Sequence, residues 1–276
     1  MNTENEKPPP HYPNPRQALG LVLLIIPIAF AAFLACELVL ELLPEPLSAP
    51  GPFRSFVEVL VYGLTLGLTI RIALRRRASS DEPRRPALKL TKVSAGILAV
   101  TCLVNTALLV ILIPIMSAIP VAEWYERLVS QSIQLDLASF AGMVLLAPVL
   151  EEVLFRGIIL EGLLTNQKPA AAIAWSSMLF SLAHLNPWQV LPTLAGGLFL
   201  GWVYWRTRSL IPCILIHATN NLIGFVLLAR IDPAAKISDL MGPVAQAAVL
   251  AGSVIVFAAG AWWLARNMGK PTALAA

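Results

Sequence analysis

Charged residues are scarce in this sequence. They make up 13% of its 276 residues, against 57% hydrophobic residues. A soluble domain carries about a quarter charged residues, so this chain could not cover itself with polar surface. Its mean hydropathy of +0.74 points the same way. Lipid is therefore the expected solvent. In lipid every backbone polar group needs an internal partner, which restricts spanning segments to helices or a closed barrel. Period-two alternation is lacking, and long continuous apolar runs stand in its place, so helices are expected. Cysteine is sparse too. Cys36, Cys102 and Cys213 all lie in apolar runs with no evident pairing framework, and they read as small buried residues. No internal repeat is visible.

The net charge of +4 and the pI near 9.1 do not call for a nucleic-acid partner. The positive residues sit mostly between apolar runs, where they act as topology signals. The stretch from Met1 to about Gln17 is polar and holds Pro8, Pro9, Pro10, Pro13 and Pro15, which predicts a disordered tail. The run behind it is too long for a signal-peptide core, is acidic near its end and lacks a clear cleavage site.

A bilayer core of roughly 30 Å takes roughly 20 apolar residues in a helix. Eight spans are expected, at about Ala18–Leu43, Phe53–Leu74, Val93–Ile119, Asp136–Leu160, Ala170–Leu185, Trp188–Trp205, Ser209–Ala229 and Val244–Ala265. Only Asn186 and Pro187 separate the fifth from the sixth, which predicts a tight helical hairpin. The connection after the second span, RRRASSDEPRRPALKLTK, is the strongest positive cluster and is expected on the cytoplasmic side, with both termini. Gly63 with Gly67, and Gly197 with Gly201, have the spacing of close helix contacts. The segment VAEWYERLVSQSIQ has the composition of an interfacial amphipathic helix. Glu37 and Glu41, near the outer end of the first span, are expected to snorkel to the interface.

Ionisable groups inside a bilayer cost several kcal/mol and mark function. Three neighbouring spans each present some. The fourth holds Glu151, Glu152 and Arg156, the fifth holds His184 with Phe180 one turn before it, and the seventh holds His217, Asn220 and Asn221. Of three histidines, only His11 lies outside a span. Glu152 and Arg156 are four apart, so they share a face and can form an ion pair. Glu151 points about 100° away from Glu152, so the two carboxylates have different neighbours. A buried glutamate suits a general base for water. His217 and Asn221 share a face and can both donate to one oxygen, as an oxyanion requires. The bland readings are a structural pair for Glu152 with Arg156, a helix-packing hydrogen bond for Glu151, an interfacial cap for His184, interhelical glue for His217 with Asn221 and for Asn220, and packing for Phe180. One difficulty is depth. On upright helices Glu151 and His217 lie about 12–14 Å from the inner span ends and His184 roughly 21 Å.

Glu-Glu-x-x-x-Arg, Phe-x-x-x-His and His-x-x-x-Asn, in that order on separate membrane helices, resemble the CPBP family of type II CAAX prenyl endopeptidases and bacteriocin-processing or immunity proteins, also called Abi. The resemblance covers roughly Leu137 to Leu228. It implies an all-α intramembrane endopeptidase of about eight transmembrane helices, in a bacterial inner membrane, acting on a peptide or protein substrate. With the expected spans it gives a tail (1–17), N-terminal transmembrane helices (18–135), a core that resembles the family's catalytic part (136–229) and a C-terminal loop and last helix (230–276). The implied catalytic set is Glu151, Glu152, Arg156, His184, His217 and Asn221. In the family the residues matching Glu151 and His184 activate water, and those matching His217 and Asn221 stabilise the oxyanion. The family is commonly labelled metalloprotease. His-Glu-x-x-His is absent here, but Glu151, His184 and His217 are a three-ligand set that could hold zinc with an open position. A membrane transporter or proton relay, and a silent peptide-binding immunity protein, are the alternatives.

Overall fold

A computed structural model describes residues 11–44, 47, 49–78, 89–122, 134–230 and 241–269. All secondary structure among them is helical. Helix α1 spans Pro15–Glu41, α2 Pro52–Ala78 and α3 Ala95–Ser117. A near-continuous central run follows: α4 Leu137–Phe140, a π-helical turn Ala141–Leu146, α5 Ala147–Glu152, a second π-helical stretch Val153–Leu160, and α6 Glu161–Asn166. Then come α7 Pro169–Ala183, a 3-10 turn Pro187–Gln189, α8 Val190–Thr207, α9 Leu210–Arg230 and α10 Pro243–Asn267. The protein is an all-α, multi-pass membrane protein. Five described helices, α1, α2, α3, α9 and α10, are long and apolar enough to cross a membrane by themselves. Among the described residues the central run, α7 and α8 bring the rods to eight, of which α7 is short.

Local sequence sets the ends of these rods. Asn14 caps α1 by accepting from the Gln17 N–H, Gln17 bonds back to the Asn14 N–H, and Pro15 takes the first helical position, where a missing N–H costs nothing. The helix thus starts inside the stretch expected to be a disordered tail. Tyr12 is buried, and Asn166 Nδ2 donates to the His11 carbonyl at 2.7 Å. The tail expectation fails at this end because proline and asparagine next to an apolar run form a helix start. The rest of the tail and nearly all of the expected interfacial helix lie outside the described residues. Asn186 accepts from the Trp188 N–H and Leu185 has φ 51°, which together make the expected tight turn between α7 and α8.

The central run forms the core. Leu154, Phe155, Ile158, Ile159, Leu160, Leu163 and Leu164 are all buried. The outer rods turn Phe30, Leu38, Leu64, Val254 and Ile255 outward, where lipid is their solvent. Close approaches sit at glycines. A Cβ on Gly201 would stand 2.9 Å from Ile173 Cγ2, and one on Gly197 3.1 Å from Ser177 Cβ, so α8 packs tightly on α7. A Cβ on Gly63 would meet Leu146 at 3.1 Å. Gly67 has open space around it and makes no such contact, so the paired Gly63–Gly67 face is only half used. Glu37 does not snorkel alone, because Arg54 bonds it and also reaches Glu58 at 3.0 Å.

One end of the bundle is tied by a buried carboxylate. Glu161 receives Lys89 on one oxygen; Arg208 and the Tyr204 hydroxyl each reach the other at 3.0 Å. Backbone bonds reinforce the clip: the Leu210 N–H donates to the Lys89 carbonyl at 2.8 Å, and Ser209 Oγ donates to the Thr91 carbonyl at 2.7 Å. Lys89 and Arg208 together compensate the charge of a carboxylate that is otherwise buried. Glu161→Gln should therefore cost about 1.5–3 kcal/mol at neutral pH. Thermal unfolding in detergent is the measurement.

Candidate functional site

The two glutamates lie on α5, between the two π-helical stretches. Pro148 accounts for the first of these. It lacks an N–H, so the Val144 carbonyl has no partner four residues on, and the register widens until the Ala147 N–H bonds the Gly142 carbonyl. The Met143 carbonyl then has no helical donor, since Ala147 is taken and Pro148 has nothing to give. Asn221 Nδ2 on α9 fills that gap at 2.8 Å. An amide has two N–H bonds, and one of them is used this way.

Glu152 is fully buried. Its Oε1 accepts from Arg156 Nη1 at 2.7 Å, one helical turn on, and faces His217 Nδ1 at 2.8 Å. A carboxylate only accepts, so Nδ1 carries a proton and the imidazole is held in one orientation. Arg156 also donates to the Gly197 carbonyl at 3.4 Å, and its guanidinium lies 4.6 Å from the Phe180 ring centre. Glu151 points elsewhere, toward α2, where the Tyr62 hydroxyl donates to its Oε1. Its Oε2 is buried with no hydrogen-bond partner among the described residues, 3.7 Å from His217 Nε2. The two carboxylates thus have separate neighbours, as expected from their angular separation.

His184 forms the C-cap of α7. Its Nδ1 lies 2.9 Å from the Phe180 carbonyl, which can only accept, so Nδ1 donates and Nε2 of the neutral ring keeps a lone pair. The Phe180 ring is 4.8 Å from the His184 ring and 5.8 Å from the His217 ring, edge-on in both cases. One phenyl group therefore supports both imidazoles.

The turn after the fourth span lies farther along the chain than expected, which bears on the depth difficulty. The expected span ended at Leu160, but α6 carries the run on to Asn166 before the turn at Gln167 and Lys168. Glu151 and His184 stand equally far along the chain from that turn, on antiparallel arms of one helical hairpin. So do Phe155 and Phe180, whose rings meet at 5.1 Å. Toward α9, Glu152 meets His217, and Glu161 meets Arg208 in the turn that leads into that helix. Asn220 faces away from the cluster and bonds Asn105 on α3, as interhelical glue. The residue that sequence reasoning missed is Tyr62. A lone tyrosine in an apolar span carries no signal of what it will face.

Zinc needs ligand atoms converging at about 2.0–2.2 Å. Among the described residues no three His, Cys, Asp or Glu side chains are grouped to hold a metal ion. His217 is held through Nδ1 by Glu152 and His184 through Nδ1 by a backbone carbonyl, which leaves Nε2 of each as the atom that could ligate, the usual outer-shell pattern of a metal-binding imidazole. As placed, Glu151, His184 and His217 are not grouped to hold an ion.

Fold and site define a multi-pass helical membrane protein with a carboxylate–imidazole cluster enclosed between its helices. Residues 133–223 match the family model of Type II CAAX prenyl endopeptidase Rce1-like proteins, so the resemblance carried by the three motifs is shown for that segment, about a third of the chain. The chain is also 36% identical over 89 residues to the UPF0177 protein YxdF of Lactococcus lactis subsp. lactis (strain IL1403), over 32% of this chain and 49% of that protein. It thus spans about half the length of that curated relative. No solved structure matches.

Proposed function

We propose that this chain is an intramembrane endopeptidase of the CAAX-protease type, hydrolysing a peptide bond with a water activated by Glu151 and His184. The observation that carries the reading is the unpartnered, buried Oε2 of Glu151 beside His217 Nε2, inside the segment that matches a protease family. Water bound at Oε2, with His184 Nε2 as second acceptor, loses a proton to Glu151 and attacks the carbonyl carbon. Negative charge gathers on the carbonyl oxygen. Nε2–H of His217 and the second N–H of Asn221 serve as its donors. The tetrahedral intermediate then collapses, the C–N bond breaks, and Glu151 returns its proton to the departing amine.

With Nδ1–H held by Glu152, an Nε2–H donor at His217 takes the imidazolium form, and the ring sits against both Glu151 and Glu152. On this reading Glu152 and Arg156 orient His217 rather than touch substrate. On the same reading the termini face the cytoplasm of a bacterial cell, by the distribution of Lys and Arg, and substrate enters from that side, where CAAX-type substrates are processed. The test is cleavage of a peptide library by the purified protein, compared with Glu151→Ala and His184→Ala. Both variants should lose activity. Equal cleavage by all three proteins overturns the mechanism. A chelator arm in the same assay tests metal dependence: loss of activity that added zinc restores would overturn the metal-free route.

A further inference from the structure

We infer that Tyr62 is a positioning residue of the site, one that fixes which oxygen of Glu151 receives the water; this rests on the endopeptidase reading. Tyr62 lies on α2, outside the segment 133–223 that matches the protease family. Its hydroxyl donates to Glu151 Oε1. The other oxygen, Oε2, is buried with no hydrogen-bond partner among the described residues and faces His217 Nε2 at 3.7 Å.

A carboxylate is two-fold about its terminal bond, and that torsion is broad and soft. Without an anchor either oxygen could turn toward the imidazole, and the plane of the group would wander. Tyr62 occupies one oxygen with a charge-assisted bond, which is roughly twice as strong as a neutral one. The remaining oxygen is then committed to the side where His217 waits. The phenol has a single proton to give, so it marks Oε1 as an acceptor and leaves the basic lone pairs of Oε2 for the water.

The placement of Tyr62 is built into the helix contact. Val59, Tyr62 and Gly63 lie at positions i, i+3 and i+4 of α2, one face of the helix. Val59 packs where a Cβ on Gly142 would fall, its Cγ2 2.5 Å from that point, and Gly63 lies against Leu146. Two small-residue contacts with the first π-helical turn thus set the height and rotation of α2, and Tyr62 is carried to Glu151 between them. The N-terminal helices in this way supply a part of the site that the matching segment lacks.

The experiment compares wild type, Tyr62→Phe and Glu151→Ala in the peptide cleavage assay across pH. Tyr62→Phe should lower kcat on the order of tenfold, the scale of one hydrogen bond to a charged group. KM should stay nearly unchanged, and the acidic limb of the rate profile should move to higher pH, because the carboxylate has lost a bond that favours its charged form. A merely structural tyrosine would not move that limb. An unchanged limb and kcat in folded Tyr62→Phe, with Glu151→Ala inactive, overturns the inference and leaves the endopeptidase reading standing. An independent arm needs no activity: the carboxyl bands in the wild-type-minus-Glu151→Gln infrared difference spectrum, recorded with and without Tyr62→3-fluorotyrosine. That change keeps the ring and makes the hydroxyl a stronger donor, so the Glu151 bands should shift. Bands that stay fixed overturn the contact. If the wild type cleaves no peptide while the bands shift, the endopeptidase reading fails and the Tyr62 contact survives without its catalytic meaning, which also overturns the inference.

Discussion

Glu151→Gln is expected to lower peptide turnover by about 10²–10⁴-fold, the range assigned to a positioned general base. The amide keeps the shape and still accepts from Tyr62, so the helix contacts persist. It cannot take a proton from water. Turnover should therefore collapse while the unfolding temperature in detergent stays within a few degrees of wild type. The side chain is only partly enclosed, at 15% exposure, which lets the neutral amide replace the carboxylate without a large solvation change. Turnover within threefold of wild type would remove Glu151 from the mechanism.

Arg156→Ala should act in the opposite way, on stability first. Arg156 is 1% exposed and its partner Glu152 is fully buried. Removing one member of a buried pair leaves an uncompensated charge and costs about 3–5 kcal/mol. The guanidinium also fills the space over the Phe180 ring and bonds the Gly197 carbonyl, so the loss reaches α7 and α8 together. The measurement is thermal unfolding in detergent, where a fall of many degrees is expected. A double change of Glu152 and Arg156 to a well-packed apolar pair should recover much of the stability and none of the activity, because His217 would lose the carboxylate that orients it. Wild-type stability in the single variant would show that the pair is not needed to hold the fold.

Much of the site could be read in the sequence, because its chemistry sits where chemistry is expensive. Charges and imidazoles inside apolar runs stand out against a background that is 57% hydrophobic. The spacing of four between Glu152 and Arg156 announced their pairing, since a helix fixes that geometry locally. The turn at Asn186 and Pro187 was equally legible, because turn chemistry is local. What failed was depth. Leu160 looked like a span end because Glu161 follows it, yet Glu161 is neutralised by Lys89 and Arg208 from other parts of the chain and the helix continues. Composition could not show that.

The sequence by itself determined the class of the protein. Scarce charge and long apolar runs leave a helical membrane bundle as the solution, and three polar motifs on three helices mark the candidate site. The tertiary structure decided which atoms meet. It extended one arm of a hairpin past Leu160 so that Phe155 meets Phe180, and it gave the carbonyl freed by Pro148 to Asn221. It turned His217 onto Glu152, and it brought Tyr62 from a helix with no motif to the oxygen of Glu151. Each of these depends on contacts distant in sequence. Helix period and hydropathy are local properties that a sequence carries openly. The rotation and height of one helix against another come from packing at Gly63, Gly142, Gly197 and Gly201, and only the assembled bundle fixes them.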